Sequence, residues 1–115
     1  MLSSVHRFHG YGSLRYVYRN GKAVRLRELT LKYSSNPKRK APRFSVVVSK
    51  KVLKPAVGRN RIRRRVYEIL RQELPKLIEN SDIILIIVSS EIRDMPHETL
   101  QGLIQNALTQ ANLYK

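Results

Sequence analysis

Between residues 59 and 68 the chain reads RNRIRRRVYE, a run of five arginines that encloses two apolar residues, Ile62 and Val66, spaced four apart. Guanidinium groups form paired hydrogen bonds with phosphate oxygens, which the point charge of a lysine cannot match. The apolar spacing is typical of a helix that packs one side on a core. The segment therefore predicts a folded helix that presents a phosphate-binding surface.

A helical wheel of this segment separates a buried side from a basic side. Ile62, Val66, Ile69 and Leu70 share the arc that faces the core. Four residues point directly outward on the wheel: Asn60, Arg64, Tyr67 and Arg71. Three more arginines flank them: Arg61, Arg63 and Arg65. Repulsion between the like charges and the positive end of the helix dipole both oppose this arrangement, and bound phosphates would reverse both effects.

The positive charge of the chain is concentrated in residues 1–65. These residues contain 19 Lys or Arg and one acidic residue, Glu28, whereas residues 66–115 contain four basic and seven acidic residues. The whole chain has a formal net charge of +15 at pH 7. Repulsion on this scale favours a polyanionic partner, with nucleic acid as the leading candidate and an anionic membrane surface as the second.

The sequence offers no recognisable catalytic or metal site. The chain has no cysteine, and His6 and His9 lack further ligands near them in sequence. His97 stands alone, and Glu28 is the one carboxylate in the basic half. The longest apolar run, residues 83–88, is too short to span a bilayer, and no secretory signal is recognisable. We therefore expect a cytoplasmic protein with no catalytic residue, metal or cofactor of its own.

Hydrophobic periodicity predicts the elements that position the arginines. They follow the order helix, strand, strand, helix, strand, helix: residues 13–21, 24–33, 43–51, 59–80, 82–90 and a last helix that begins at Pro96. A phase change near residue 26 also allows two strands in the first strand region. Ser13 is the expected cap of the first helix, Gly21 its left-handed end, and 34–42 an exposed loop. The pattern predicts one α+β domain over residues 1–115, with a mixed sheet and helices packed on it.

Residues 49–68, SKKVLKPAVGRNRIRRRVYE, resemble the signature of the bacterial ribonuclease P protein component. That family has a Ser-Lys-Lys strand end, a connection that ends in Ala-Val, and an Arg-Asn-Arg helix start followed by further basic residues. Other features come in the family's order: HRF near the start, a short helix before Gly21, the strand DIILIIV and a final amphipathic helix. The resemblance covers nearly the whole chain.

The resemblance implies a small fold with a four-stranded mixed sheet, three helices and a left-handed βαβ crossover. It also implies that the protein binds ribonuclease P RNA and assists removal of the 5′ leader from precursor tRNA. The catalytic centre of that ribonucleoprotein lies in the RNA, which also binds the magnesium ions.

Two binding surfaces are expected. The first would bind the catalytic RNA through phosphates and comprises Lys50, Lys51, Arg59, Asn60, Arg61, Arg63, Arg64 and Arg65. The second would hold the single-stranded leader in a cleft between the first helix and the sheet, and comprises Phe8, Arg15, Tyr18, Lys32, Tyr33 and Phe44. Aromatic residues at helical and strand spacing also suit simple core packing, and Phe44 fits that alternative best.

Three other classes of function remain open at this stage. A ribosomal or general RNA-binding protein of similar fold fits the charge and length equally well. A polybasic protein of the membrane surface fits less well, because the cations are mostly arginines on packed elements and no helix pairs them with an exposed apolar face. An enzyme that acts alone would need a nucleophile and a base, and the sequence offers no such pair.

Overall fold

The structure of the chain, a computed structural model, describes residues 11–35 and 42–115, and for residues 11–15 the backbone alone. The main elements are α1 Tyr11–Asn20, β1 Lys22–Arg25, β2 Leu29–Ser35, β3 Arg43–Val48, α2 Ala56–Glu73, β4 Ser81–Ile87 and α3 His97–Gln110. Two short 3₁₀ helices follow α2 and β4, at Leu74–Lys76 and Ser90–Arg93.

The four strands form one mixed sheet in the order β1-β2-β4-β3. β1 pairs with β2 and β2 with β4 in antiparallel fashion, while β3 and β4 are parallel. Helix α2 connects the two parallel strands, because a parallel pair needs a crossover connection. The predicted α+β domain with a four-stranded mixed sheet and three helices is confirmed, as is the division of the first strand region. The left-handed sense of the crossover stays a prediction.

Successive residues of each strand point to opposite sides of the sheet. One side, the core face, carries Leu29 and Leu31 of β2 and Phe44 of β3, which pack with α2 and α3 in the main hydrophobic core. The other side, the α1 face, carries Lys32 in register with Ile84 of β4. Val17 of α1 packs on Ile84 in a second, small cluster. Among the described residues, the core face therefore buries more hydrophobic side chains than the α1 face does.

Helix α1 begins at Tyr11, so the predicted cap at Ser13 is wrong. The helix ends at Asn20, and the next residue, Gly21, donates its backbone N–H to the carbonyl of Val17 at 2.8 Å. The backbone of Gly21 is not in the left-handed region; a β-carbon there would lie 2.5 Å from the Val17 oxygen and 2.7 Å from the Tyr33 oxygen. Glycine is needed for this close approach, not for the left-handed turn that we expected.

Helix α2 begins at Ala56, three residues before the start at residue 59 that the periodicity predicts. Pro55 occupies the position before the first helical residue, where its missing N–H and fixed φ are compatible with a helix start. The helix ends at Glu73, and Pro75 lies in the 3₁₀ turn that follows. Residues 77–80 are not helical, so the predicted helix to residue 80 is too long.

The end of α3 is closed by a Schellman motif. Asn112 adopts a left-handed φ of 56°, its N–H donates to Thr109, and the N–H of Leu113 donates to Leu108. The residues beyond this motif lie against the segment after α2, where Tyr114 pairs with Leu77. The Tyr114 hydroxyl donates to the buried carboxylate of Glu73 at 2.6 Å, and burial together with this contact raises the pKa of Tyr114.

A buried ion pair joins β3 to β4 on the α1 face. The guanidinium of Arg43 donates two hydrogen bonds of 2.8 Å to Asp82, its partner in register. Both side chains are less than one-tenth exposed. Within the described ranges, no helix is long and apolar enough to cross a bilayer.

Candidate nucleic-acid interface

The underside of α2 anchors the arginine run to the core. Ile62, Val66 and Leu70 have no exposed surface, and Ile69 is 1% exposed. Buried aliphatic side chains at this spacing orient the helix about its axis, so the opposite side must face solvent. The predicted arc of core residues is confirmed, and the arginines lie on a rigid helix.

We call Arg59, Asn60, Arg61, Arg63 and Arg64 the arginine patch. Asn60, Arg61 and Arg64 are exposed. Arg63 donates to the Asn60 side chain, and Arg59 donates to the carbonyls of Leu53 and Lys54. Within the described part of the chain, the guanidinium groups of Arg61 and Arg64 make no hydrogen bond or ion pair, so they remain available to a partner.

The start of α2 adds to the positive character of the patch. The first turn contains no acidic residue, and the residue at the cap position, Pro55, makes no side-chain hydrogen bond to the first N–H groups. These groups carry a partial positive charge that attracts anions. A turn in which Val52 and Leu53 both donate to Ser49 leads from β3 into α2. Lys50 and Lys51 lie in that turn, and both are exposed.

Arg65 differs from the other arginines of the run. Its guanidinium donates to the backbone carbonyls of Ile92 at 2.8 Å, Arg93 at 2.9 Å and Met95. These carbonyls belong to the connection between β4 and α3, residues 88–96. The predicted role of Arg65 in contacting RNA does not fit this arrangement, because its donors are bound to the protein itself.

Two residues predicted to point outward have partners in the protein. Tyr67 is half-buried, and its hydroxyl accepts a hydrogen bond from the backbone N–H of Val46 at 3.2 Å. It covers β3, an edge strand whose backbone groups would otherwise be open. Arg71 pairs with Glu68 at 2.5 Å, which lowers the pKa of Glu68. The outward prediction for Tyr67 is therefore wrong.

The second predicted surface is divided between the two faces of the sheet. Tyr18 and Lys32 meet on the α1 face, where the Lys32 ammonium lies 5.0 Å from the centre of the Tyr18 ring and donates to the Tyr18 carbonyl at 3.5 Å. Tyr18 is 39% exposed, and its partial burial raises the pKa of its hydroxyl. An accessible ring beside a cation is the arrangement that stacks an unpaired base.

Two other predicted members of the cleft lie on the core face. Phe44 has no exposed surface and belongs to the main core, so its predicted contact with RNA is wrong. Tyr33 packs against the same core, and its outer side lines a recess of about 350 Å³ with Tyr16 and Leu113. It points away from Lys32 because adjacent strand residues face opposite sides. Phe8 lies outside the described residues, and so does the side chain of Arg15.

Sequence reasoning missed Arg25, which is exposed and lies on the α1 face. The register pairs Arg25 with Thr30 and Ala23 with Lys32, so Arg25 and Lys32 share one side of the sheet. The alternation of side chains along β2 and the short connection after β1 could have shown this, because the register of a hairpin fixes which side of the sheet the residues of both strands face. Tyr16 of α1 is also exposed, at 57%.

A family model provides the next observation. The sequence matches the model for Ribonuclease P over residues 2–112. The chain belongs to the ribonuclease P protein family. The matched residues include 49–68, the segment whose resemblance was recognised in the sequence, which covers the turn after β3 and α2 as far as Glu68.

Curated relatives of this family carry the name ribonuclease P protein component. The relative from Microcystis aeruginosa is 31% identical over 115 residues, which cover 97% of this chain and 95% of the relative. The relative from Roseiflexus sp. is 41% identical over 66 residues; that match spans 57% of this chain and about half, 54%, of the relative. The resemblance recognised in the sequence is confirmed.

Solved structures of the family have the same fold. The RNase P protein of Staphylococcus aureus superposes with a TM-score of 0.85 at 24% identity, covering 96% of this chain and 98% of that chain. At this level of identity the likeness concerns the fold alone.

Within residues 11–35 and 42–115, no group of three or more His, Asp or Glu side chains is placed to hold a metal ion.

Proposed function

We propose that this chain is the protein subunit of ribonuclease P, which binds the catalytic RNA and the 5′ leader of precursor tRNA in the cytoplasm. In this proposal the protein assists the magnesium-dependent removal of the leader, while the RNA supplies the catalytic centre and holds the magnesium ions. The observation that carries the proposal is a pair of exposed guanidinium groups, Arg61 and Arg64, which have no partner among residues 11–35 and 42–115 and lie on a helix whose underside is buried.

The contact with the catalytic RNA is assigned to the arginine patch together with Lys50 and Lys51. Support comes from the position of these groups on consecutive elements at one end of the fold. The rigid helix lowers the entropy lost when the side chains bind, and phosphates relieve the repulsion between them. Each phosphate that is neutralised adds about 0.9 to the slope of log affinity against log salt on a duplex, and about 0.7 on a single strand.

The contact with the leader is assigned to the α1 face, through Tyr18, Lys32 and Arg25. An unpaired base can stack on the Tyr18 ring, while the two cations neutralise neighbouring phosphates. A surface of this kind binds single strands with little sequence preference, which suits a leader of variable sequence. Tyr33 and Phe44 are left out of this assignment because they lie on the core face.

Reconstitution tests the proposal directly. The full chain is mixed with ribonuclease P RNA and precursor tRNA at a magnesium concentration too low for the RNA alone. We expect 5′ cleavage that neither component gives by itself, and a weaker response from Arg64→Ala. The matched control is Lys115→Ala, an exposed lysine paired with Glu79 beyond the far end of α2.

The result of this experiment also separates the alternative function. A chain that binds ribonuclease P RNA no more tightly than an unrelated structured RNA, and that gives no stimulation of cleavage, would be a general RNA-binding protein. In that case Arg64→Ala would weaken binding to both RNAs equally. Stimulated cleavage with a preference for ribonuclease P RNA supports the proposed subunit role.

A further inference from the structure

We propose that Arg93 extends the RNA-binding surface beyond α2, and that Arg65 is the positioning residue that holds Arg93 there. This inference rests on the proposed function, since it adds a second element to the same surface. The partner is the phosphate backbone of the catalytic RNA. Arg93 is separated from the arginine patch by about 30 positions in sequence, and no part of the 49–68 signature includes it.

The first step is the position of Arg93 relative to α2. Its Cδ atom lies over Gly58, 3.6 Å from where a β-carbon on that glycine would stand. Gly58 is buried in the first turn of the helix, and Arg61 follows three positions later. Residues three apart on a helix are neighbours on its surface. The aliphatic part of Arg93 therefore lies against the first turn of α2, one turn before Arg61, at the edge of the arginine patch.

The second step is the availability of the Arg93 guanidinium. The side chain is 44% exposed, and its partner is the adjacent Asp94, which is 65% exposed, at 3.0 Å. An ion pair between such exposed groups contributes little free energy, because water and salt screen it. A phosphate, which offers several acceptor oxygens to the guanidinium fork, can replace this carboxylate.

The third step is the force that keeps the connection in place. Ile92 and Arg93 end a 3₁₀ helix, whose last carbonyls lack partners within the helix. Arg65 donates to both of these carbonyls and to the carbonyl of Met95, and thus joins the connection to α2 at three points. The guanidinium fork suits this task, whereas a lysine could not span the same three acceptors. Arg65 acts on RNA through Arg93.

The test measures the affinity of the full chain for ribonuclease P RNA over a range of salt concentrations, for Arg93→Ala, Arg65→Leu and the double variant. We expect Arg93→Ala to lower the salt slope by about 0.9 without a change in thermal midpoint. In the Arg65→Leu background, the further change Arg93→Ala should alter the slope by much less. In the Arg93→Ala background, Arg65→Leu should leave the slope unchanged.

Each contrary outcome overturns a defined part of the inference. An unchanged slope for Arg93→Ala shows that Arg93 does not contact RNA. If Arg93→Ala lowers the salt slope equally with Arg65 and with Leu at position 65, Arg65 does not position Arg93. If Arg65→Leu lowers the salt slope further when Arg93 is already alanine, Arg65 itself contacts phosphate. A loss of protein stability alone would leave the effects of Arg93→Ala and Arg65→Leu independent of each other, so it cannot imitate this coupling.

Two further variants keep the test decisive. If Arg65→Leu does not fold, Arg65→Lys keeps the positive charge and the aliphatic stem but loses the three-point contact, so the effect of Arg93→Ala should again be reduced. Arg64→Ala tests the proposed function separately. If Arg64→Ala lowers the salt slope and Arg93→Ala does not, the proposed role of Arg93 is wrong and the proposed function stands. Lys115→Ala serves as the control cation, because the 18 residues of α2 put about 27 Å between its two ends.

Discussion

On the core face of the sheet, strand residues join α2 and α3 in the main hydrophobic core, whereas on the α1 face, among the side chains that the structure describes, Val17 and Ile84 are the buried members of a much smaller cluster. The α1 face also carries the Tyr18–Lys32 pair, exposed Arg25 and the Arg43–Asp82 ion pair. Both faces use the same strands, with odd and even positions on opposite sides. Stability and binding should therefore respond to different residues of one strand.

The largest effect is expected at Phe44 on the core face. Phe44→Ala removes a fully buried ring, and the resulting cavity should lower the free energy of unfolding by about 3–5 kcal/mol. Urea denaturation of the full chain measures this loss. The control is Val88→Ala, which truncates a half-exposed side chain just after β4 and should change stability by less than about 0.5 kcal/mol. A similar small change for Phe44→Ala would contradict the division between the faces.

Tyr18 should show the opposite behaviour, with a loss of binding and little loss of stability. Tyr18→Ala removes the ring over which Lys32 lies, and should weaken binding of a single-stranded leader by about 1–3 kcal/mol. Fluorescence anisotropy with a labelled leader oligonucleotide measures the affinity. Tyr18→Phe keeps the ring and should bind almost as tightly as the original chain.

A companion variant separates stacking from charge at the same site. Lys32→Ala should lower the salt slope for the single strand by about 0.7, while Tyr18→Ala should leave the slope as it is. If both variants change the slope equally and neither changes affinity at high salt, Tyr18 does not stack on a base and the α1 face binds through charge alone.

Val17 should affect both properties, because it attaches α1 to the sheet. Val17→Ala removes two buried methylene equivalents from the contact with Ile84, and should cost about 1–2 kcal/mol of unfolding free energy. The displaced helix should also bind the leader oligonucleotide less tightly, although Val17 itself is fully buried and cannot contact it. Unchanged leader affinity together with lower stability would show that leader binding does not depend on how α1 packs against the sheet.

Much of this organisation was predictable from local patterns. The spacing of Ile62, Val66 and Leu70 assigned the buried side of α2 correctly, because helical periodicity needs no knowledge of the partner. The alternation of Leu29 and Leu31 also predicts that Tyr33, two positions further along the strand, faces the same side of the sheet. The prediction that Lys32 and Tyr33 share a cleft ignored this alternation, since adjacent residues of a strand cannot face the same side.

Other features depend on which distant segment packs against a residue. The wheel placed Arg65 at the flank of α2, but nothing near it in sequence indicates that carbonyls about 30 positions later reach the same flank. Tyr67 was assigned to solvent for the same reason, because its partner Val46 lies on the edge strand β3. Sequence periodicity gives the direction of a side chain, while its partner is decided by tertiary packing.

The smallest expected effect is a gain of stability that leaves binding unchanged. Gly102 lies inside α3, and a β-carbon there would meet no atom within 4 Å. Gly102→Ala should raise the free energy of unfolding by about 0.5–1 kcal/mol, because alanine loses less backbone entropy than glycine when a helix forms. Denaturation measures the gain, and the affinities for leader and for ribonuclease P RNA should stay as they are. A change in either affinity would show that α3, on the core face, is coupled to the binding surfaces, and that the two faces of the sheet are not independent.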